Sequence, residues 1–204
     1  MPLALSHKGV LTGSYSWYNT DKEVSRMKEI FNSKHLTLLV PLVALALTGV
    51  IYATEGTVDS SSMVAAHNKW RSEVGVPDIK WSDALAKTAQ LWADKLKSKG
   101  CALKHNQGSS YGENLYKAGP IMWSDGTKEL QSVTPQRVVD SWGKEKQNYN
   151  YKDNSCSGVC GHYTQVIWKN TKEVGCGMAI CNDKSQVWVC DYNPPGNFIG
   201  EKPY

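Results

Sequence analysis

Phenylalanine is nearly missing from this chain, with 2 residues against 8 tryptophans and 10 tyrosines. Its aromatic surface therefore combines apolar bodies with polar tips, which suits shallow, partly wet grooves. An excess of one charge is also missing. Lys and Arg number 23 and Asp and Glu 19, for a net charge of +4, and no basic stripe gathers the cations. That balance argues against a nucleic-acid partner. The sequence has no Gly-rich phosphate loop, no zinc-finger spacing, no Gly-x-Ser-x-Gly elbow and no His-Glu-x-x-His helix. The nucleotide-binding, serine-hydrolase and zinc-protease motifs are thus absent. There is no Asn-x-Ser/Thr sequon, internal repeat or low-complexity linker. What is present is ordinary for a folded chain of 204 residues, with 41% hydrophobic and 21% charged side chains. This excludes a largely disordered protein, and the length suits one domain with a proper core.

One segment departs from the average. Leu36–Ala53 reads LTLLVPLVALALTGVIYA and carries no charge. Its length lies between a signal-peptide core and a spanning helix. Lys22, Arg26, Lys28 and Lys34 precede it and Glu55 and Asp59 follow, which sends the C-terminal side out of the cytoplasm. Three regions follow: an N-terminal extension over 1–35, with a possible true start at Met27, a signal core or anchor over 36–53, and an exported domain over 54–204. Cleavage after Ala53 is the preferred reading, and an uncleaved anchor the alternative. Residues 1–53 carry five basic and three acidic side chains, so their removal lowers the net charge to +2.

All six cysteines lie beyond this run, at 101, 156, 160, 176, 181 and 190. An even count behind an export signal reads as three disulfides in an oxidising compartment and makes a thiolate zinc site a poor alternative. EVGCGMAIC over 173–181 and QVWVCDY over 186–192 read as a hairpin around Asn182–Ser185. Placing Cys181 opposite Gln186 sets Cys176 opposite Asp191 and beside Cys190, within bridging reach. Cys176 and Cys181 are five apart and face opposite sides of the sheet, so Cys181 needs a partner in another layer. Cys101 is available there, and Cys156 and Cys160 remain.

Three helices are expected ahead of the hairpin. The first is capped within Ser60–Ser62, runs through Arg71 and ends at Gly75-Val76-Pro77. Ser82 caps the second, with Leu85, Ala89, Trp92 and Leu96 on one face and Gly100 as the stop. Thr134-Pro135 opens the third, with Val138, Val139 and Trp142 inward. A long loop, 117–133, lies between the last two and presents Ile121, Met122 and Trp123. Helices first and an antiparallel hairpin last make the fold class α+β in stacked layers.

Four ionisable residues stand in unusual local settings: His105 in CALKH, Glu113 in YGENLY, Glu145 three residues after Trp142, and His162 in CGHYTQVIW. The segments YGENLY, GHYTQVIW and CDYNPPGNF resemble motifs of the CAP superfamily, also called SCP/TAPS or the cysteine-rich secretory protein family. The match is nearest its plant pathogenesis-related type 1 branch, which CSGVCGHYTQVIWKNT and the ending NPPGNFIGEKPY resemble almost throughout. It extends over about 61–204. The resemblance implies a three-layer α-β-α sandwich around a three-stranded antiparallel sheet. It further implies disulfides Cys101–Cys181, Cys156–Cys160 and Cys176–Cys190, and a cleft tetrad of His105, Glu113, Glu145 and His162. His67 matches a first-helix His-Asn of the family and reads as structural, and Asp191 stands where Asn is usual.

Two imidazoles and two carboxylates in one cleft suit zinc or another divalent cation, with His105 and His162 as ligands and Glu113 and Glu145 as possible ones. They can also satisfy one another as His–Glu pairs. The expected site is metal-capable and non-catalytic, with no cofactor required. The resemblance implies a secreted defence protein with antimicrobial or antifungal action through capture of sterols or related lipids, and a monomer is expected. Ile121, Met122 and Trp123 are the candidate lipid-loop residues, and membrane contact otherwise arises only through 36–53 if uncleaved. Two alternatives are a precursor releasing the C-terminal peptide 194–204 and a metal-assisted hydrolase using the tetrad. N-terminal sequencing of the exported protein should read from Thr54; a start before residue 36 contradicts cleavage.

Overall fold

The computed structural model describes residues 56–204. The apolar run and the Met27 start lie outside the described residues. Among the described residues, no helix is long and apolar enough to cross a membrane.

Helix α1, Ser60–Ser72, is capped by Asp59, whose carboxylate accepts from the Ser62 N–H at 2.6 Å. The cap therefore precedes the expected serines. A carboxylate satisfies the free N–H groups as serine does and adds a favourable charge at the positive helix end. Strand β1, Lys80–Trp81, leads into α2, Asp83–Ser98, which Ser82 caps as expected. The buried face of α2 is Leu85, Ala89, Ala93 and Leu96, and Trp92 lies beside it, half-buried. Strand β2 is Gly112–Ala118, and β3, Ile121–Met122, pairs with β4, Lys128–Glu129. The expected loop over 117–133 is thus a strand end followed by a small hairpin. Helix α3, Pro135–Gly143, starts at the Thr134 cap and buries Val138, Val139 and Trp142. A 3-10 turn, Lys144–Asn148, and the short pair β5, Tyr149–Asn150, and β6, Ser155–Cys156, follow. Helix α4, Gly161–Val166, precedes the hairpin of β7, Glu173–Ile180, and β8, Gln186–Asn193.

The main sheet has the order β1-β7-β8-β2. Its three long strands are antiparallel, as the resemblance implies, and β1 adds a two-residue parallel rung to β7. Helix α2 covers one face, with Ala89, Ala93 and Leu96 against Leu115, Ala179, Val187 and Val189. On the other face α1, α3 and α4 bury Met63, Val138, Val139, Trp142, Tyr163 and Val166 against Val174, Cys176, Trp188 and Tyr192. The result is the three-layer sandwich. Gly175 and Gly177 let α2 lie directly on β7, because a Cβ at either would collide with the helix backbone at Ala86 or Gln90.

Disulfides join Cys101 to Cys181, Cys156 to Cys160 and Cys176 to Cys190. The hairpin register differs by one from the expected one. Ile180, not Cys181, stands opposite Gln186, so Cys176 faces Cys190 directly rather than Asp191. The reason is the turn: the Cys181 N–H bonds the Ser185 carbonyl at 2.8 Å, and Lys184 takes φ 65°. Cys181 thereby becomes a turn residue.

Arg71 fastens α1 to the opposite end of the fold. It is fully buried and donates to four main-chain carbonyls: Pro77 at 2.7 Å, Val166 at 3.0 Å, Trp168 at 2.9 Å and Thr171 at 3.0 Å. Burial lowers its pKa to about 10, so it stays charged at neutral pH. Arg71→Met keeps the volume but strands those carbonyls, and should cost about 3 kcal/mol or more in urea unfolding. A loss below about 1 kcal/mol contradicts this role.

Candidate functional site

His105 lies in the segment that Cys101–Cys181 anchors to the sheet. Its Nδ1–H donates to Glu113 Oε1 at 2.6 Å, and the Asn106 N–H reaches the same oxygen at 3.1 Å. The imidazole is 56% exposed, whereas the Glu113 side chain is only 6% exposed. The hydrogen bond to Glu113 raises the His105 pKa above its ordinary value, against an opposing contribution from burial. Glu113 Oε2 is buried without a hydrogen-bond partner.

Glu145 and His162 form a second pair. Glu145 sits in the 3-10 turn just beyond α3, not on the helix face expected from its spacing to Trp142. From there Oε1 accepts from His162 Nδ1 at 2.7 Å, while Oε2 accepts from the His162 N–H at 3.0 Å and the Tyr163 N–H at 3.4 Å. The carboxylate therefore covers the free N–H groups of α4 as well as its histidine. The His162 ring stacks on Trp142, with centroids 6.3 Å apart at 16°.

Strand β2 relates the two pairs. Glu113 stands opposite Asp191, on the sheet face covered by α2. Asn114 follows it and, by the pleat, faces the other way. Its amide donates to the His162 carbonyl at 3.1 Å and to Tyr192 Oη at 3.2 Å. Tyr192 donates in turn to His67 Nε2 at 2.9 Å, and His67 Nδ1–H to the Met63 carbonyl at 2.8 Å. Full burial lowers the His67 pKa to about 4 and keeps it neutral. Asn114 and Tyr192 were not singled out from the sequence. A polar amide in the middle of a strand was the available signal, since Asn is depleted there.

The tetrad residues are thus held as two His–Glu pairs. Among the described residues, no three His, Cys, Asp or Glu side chains are grouped to hold a metal ion. Of the glutamates expected as possible ligands, Glu145 spends both oxygens on His162 and main-chain N–H groups, and Glu113 spends Oε1 on His105 and the Asn106 N–H while its Oε2 stays unpartnered. The donor set does not fit a four-ligand site, and no chemistry is routed through one.

Ile121, Met122 and Trp123 are 36%, 59% and 54% exposed at the β3–β4 hairpin. The Trp123 indole N–H donates to Glu129 Oε2 at 3.0 Å, which orients the ring. The C-terminal residues run as a fastened strap. The Lys169 N–H bonds the Pro203 carbonyl at 2.7 Å, Gly196 N–H bonds Gln165 Oε1 at 3.0 Å, and Tyr151 stacks on Tyr204 with centroids 4.5 Å apart. Release of 194–204 must break these contacts.

The sequence model of the cysteine-rich secretory protein family matches residues 64–192. Pathogenesis-related protein 1 of Arabidopsis thaliana is 41% identical over 164 residues, covering 80% of this chain and 94% of the relative. Pathogenesis-related protein 1A of Nicotiana tabacum is 37% identical over 177 residues, covering 86% and 98%. Among solved structures, venom allergen-like protein 4 of Schistosoma mansoni superposes with a TM-score of 0.54 at 28% identity, over 71% of this chain and 92% of that one.

Asp191 accepts from Thr88 Oγ1 at 2.6 Å and is buried. Burial raises its pKa from 3.8 to about 6, with Glu113 adding to the shift. The stability tied to its protonated form is complete below about pH 4 and is lost as pH rises through about 6. Asp191→Asn should therefore be more stable at pH 7.5, by on the order of 2 kcal/mol, with the gain shrinking towards pH 4. Urea midpoints across that range check this, and a gain independent of pH contradicts it.

Proposed function

Because the chain belongs to the cysteine-rich secretory protein family, we propose that it is an exported defence protein that captures sterols or related lipids. The relatives' pathogenesis-related names support the defence role. Three disulfides fit an oxidising compartment, and the charge-free run Leu36–Ala53 supplies the export signal that this reading needs, leaving 54–204 as the mature domain.

The observation that carries lipid capture is the β3–β4 hairpin. It displays Ile121, Met122 and Trp123 next to one another, and the last two are more than half exposed. Large apolar side chains left in water at one tip are a standing gain for any apolar ligand, at about 1.5–3 kcal/mol for each side chain fully buried. Trp123 is held by Glu129, so little ordering cost falls on binding. The His–Glu pairs act in this reading as struts that shape the cleft. In each pair the glutamate takes the imidazole Nδ1 and leaves Nε2 as the one ring nitrogen open to a cation, and lipid capture does not require one.

The test is titration of the exported domain with fluorescent dehydroergosterol. Met122→Asp combined with Trp123→Ser should weaken binding by about tenfold or more, the loss of one to two buried apolar side chains. Equal affinity in the variant removes the hairpin from the mechanism.

A further inference from the structure

A concave surface lies along the flank of α2 that adjoins its sheet-facing row, with Leu96 common to both. It is a groove of about 380 Å³ between the C-terminal half of α2 and the segment after Cys101. Trp92 and Ala102 contribute apolar surface over the buried Leu96, Lys95, Lys99 and Lys104 supply cations, and the exposed imidazole of His105, from the first His–Glu pair, lines the groove as well. Among the described residues, no carboxylate lines it. Asp94, on the same helix, accepts from Gln90 Nε2 at 3.1 Å, and Glu113 is turned onto His105. Lysines in a last helical turn complement the negative helix end. That accounts for Lys95, but not for Lys104, which comes from the following segment.

The indole of Trp92 is fixed in place. Its N–H donates to the Lys104 carbonyl at 2.8 Å, and Lys95 Nζ lies 4.8 Å from the ring centroid. Its polar tip is thus spent on the protein and Lys95 lies over the half-buried ring, while Lys99 and Lys104 have no carboxylate partner among the described residues. Apolar surface with a few convergent polar groups, in a cavity of this size, is the composition of a small-molecule site.

We propose that this groove binds a planar organic carboxylate, with the ring against Trp92 and the anion between Lys95, Lys99 and Lys104. The charge complementarity sets the sign of the ligand, and the small volume and flat indole set its shape. This site is separate from the β3–β4 hairpin and stands or falls without the lipid reading.

The experiment titrates the protein with 2-naphthoate and with its neutral isostere 2-naphthamide. Indole N–H resonances are followed by NMR, and Trp92→Phe identifies the Trp92 signal. The naphthoate should shift that signal saturably, and the naphthamide should bind on the order of tenfold more weakly. Lys95→Gln with Lys99→Gln and Lys104→Gln should produce a similar loss. An equally charged control, Lys80→Gln with Lys97→Gln and Lys184→Gln, should bind as the wild type does, as should Met122→Asp with Trp123→Ser. Matching thermal midpoints establish that the variants fold. Equal binding of acid and amide, an unmoved Trp92 signal, or equal losses in the two lysine triples would overturn the proposal.

Discussion

The pleat of one edge strand is the constraint on which the site depends. Strand β2 delivers Glu113 and Asn114 in succession, and successive side chains leave a strand on opposite faces. Glu113 therefore reaches His105 on the side of α2, while Asn114 reaches the main chain of His162 on the side of α1 and α4. A shift of one residue in the pairing of β2 with β8 would exchange these faces and undo both connections. The register is held by seven paired positions and by core residues such as Leu115, which is buried against α2.

Around that strand the polar groups largely satisfy one another. Glu145 serves both an imidazole and the start of α4, and the chain from Asn114 through Tyr192 to His67 carries hydrogen bonding into the core. Such arrangements fix side-chain positions, because a buried donor or acceptor left unmade costs more than a made bond gains. The unpartnered Glu113 Oε2 is the exception, and it lies where the buried Asp191 faces Glu113 across the ladder. Two carboxyls this close disfavour double ionisation, in keeping with the raised pKa of Asp191. Exposed apolar side chains stand at the β3–β4 hairpin, and the groove beside Trp92 adjoins the first pair at His105.

Much of this was legible in the sequence wherever the signal is local. Ser82 and Thr134-Pro135 mark helix starts because capping chemistry acts within one turn. Val138, Val139 and Trp142 mark a buried face because helical spacing puts them together. The motif resemblance implies the layers seen here and points to the four residues that the structure holds as two His–Glu pairs. What sequence reasoning missed depends on contacts distant along the chain. The hairpin register was misplaced by one because the turn begins at Cys181, and no local residue type announces that. Glu145 was assigned to α3 because periodicity carries no record of where a helix tightens into a 3-10 turn. Strand β1 is two residues long, too short for any alternation to show. The pairing of the tetrad into two His–Glu contacts, rather than one ligand set, depends on which edge of which strand each residue occupies.

The central claim is that each imidazole is held through its Nδ1–H by its own glutamate. Nitrogen-15 shifts of the histidine rings, followed against pH in the wild type and in Glu113→Gln, measure this directly. The account expects neutral His105 and His162 as Nδ1–H tautomers, with His105 titrating above 6.5 in the wild type and falling back once Glu113 is neutralised. Nε2–H tautomers, or a His105 titration indifferent to Glu113→Gln, would contradict it.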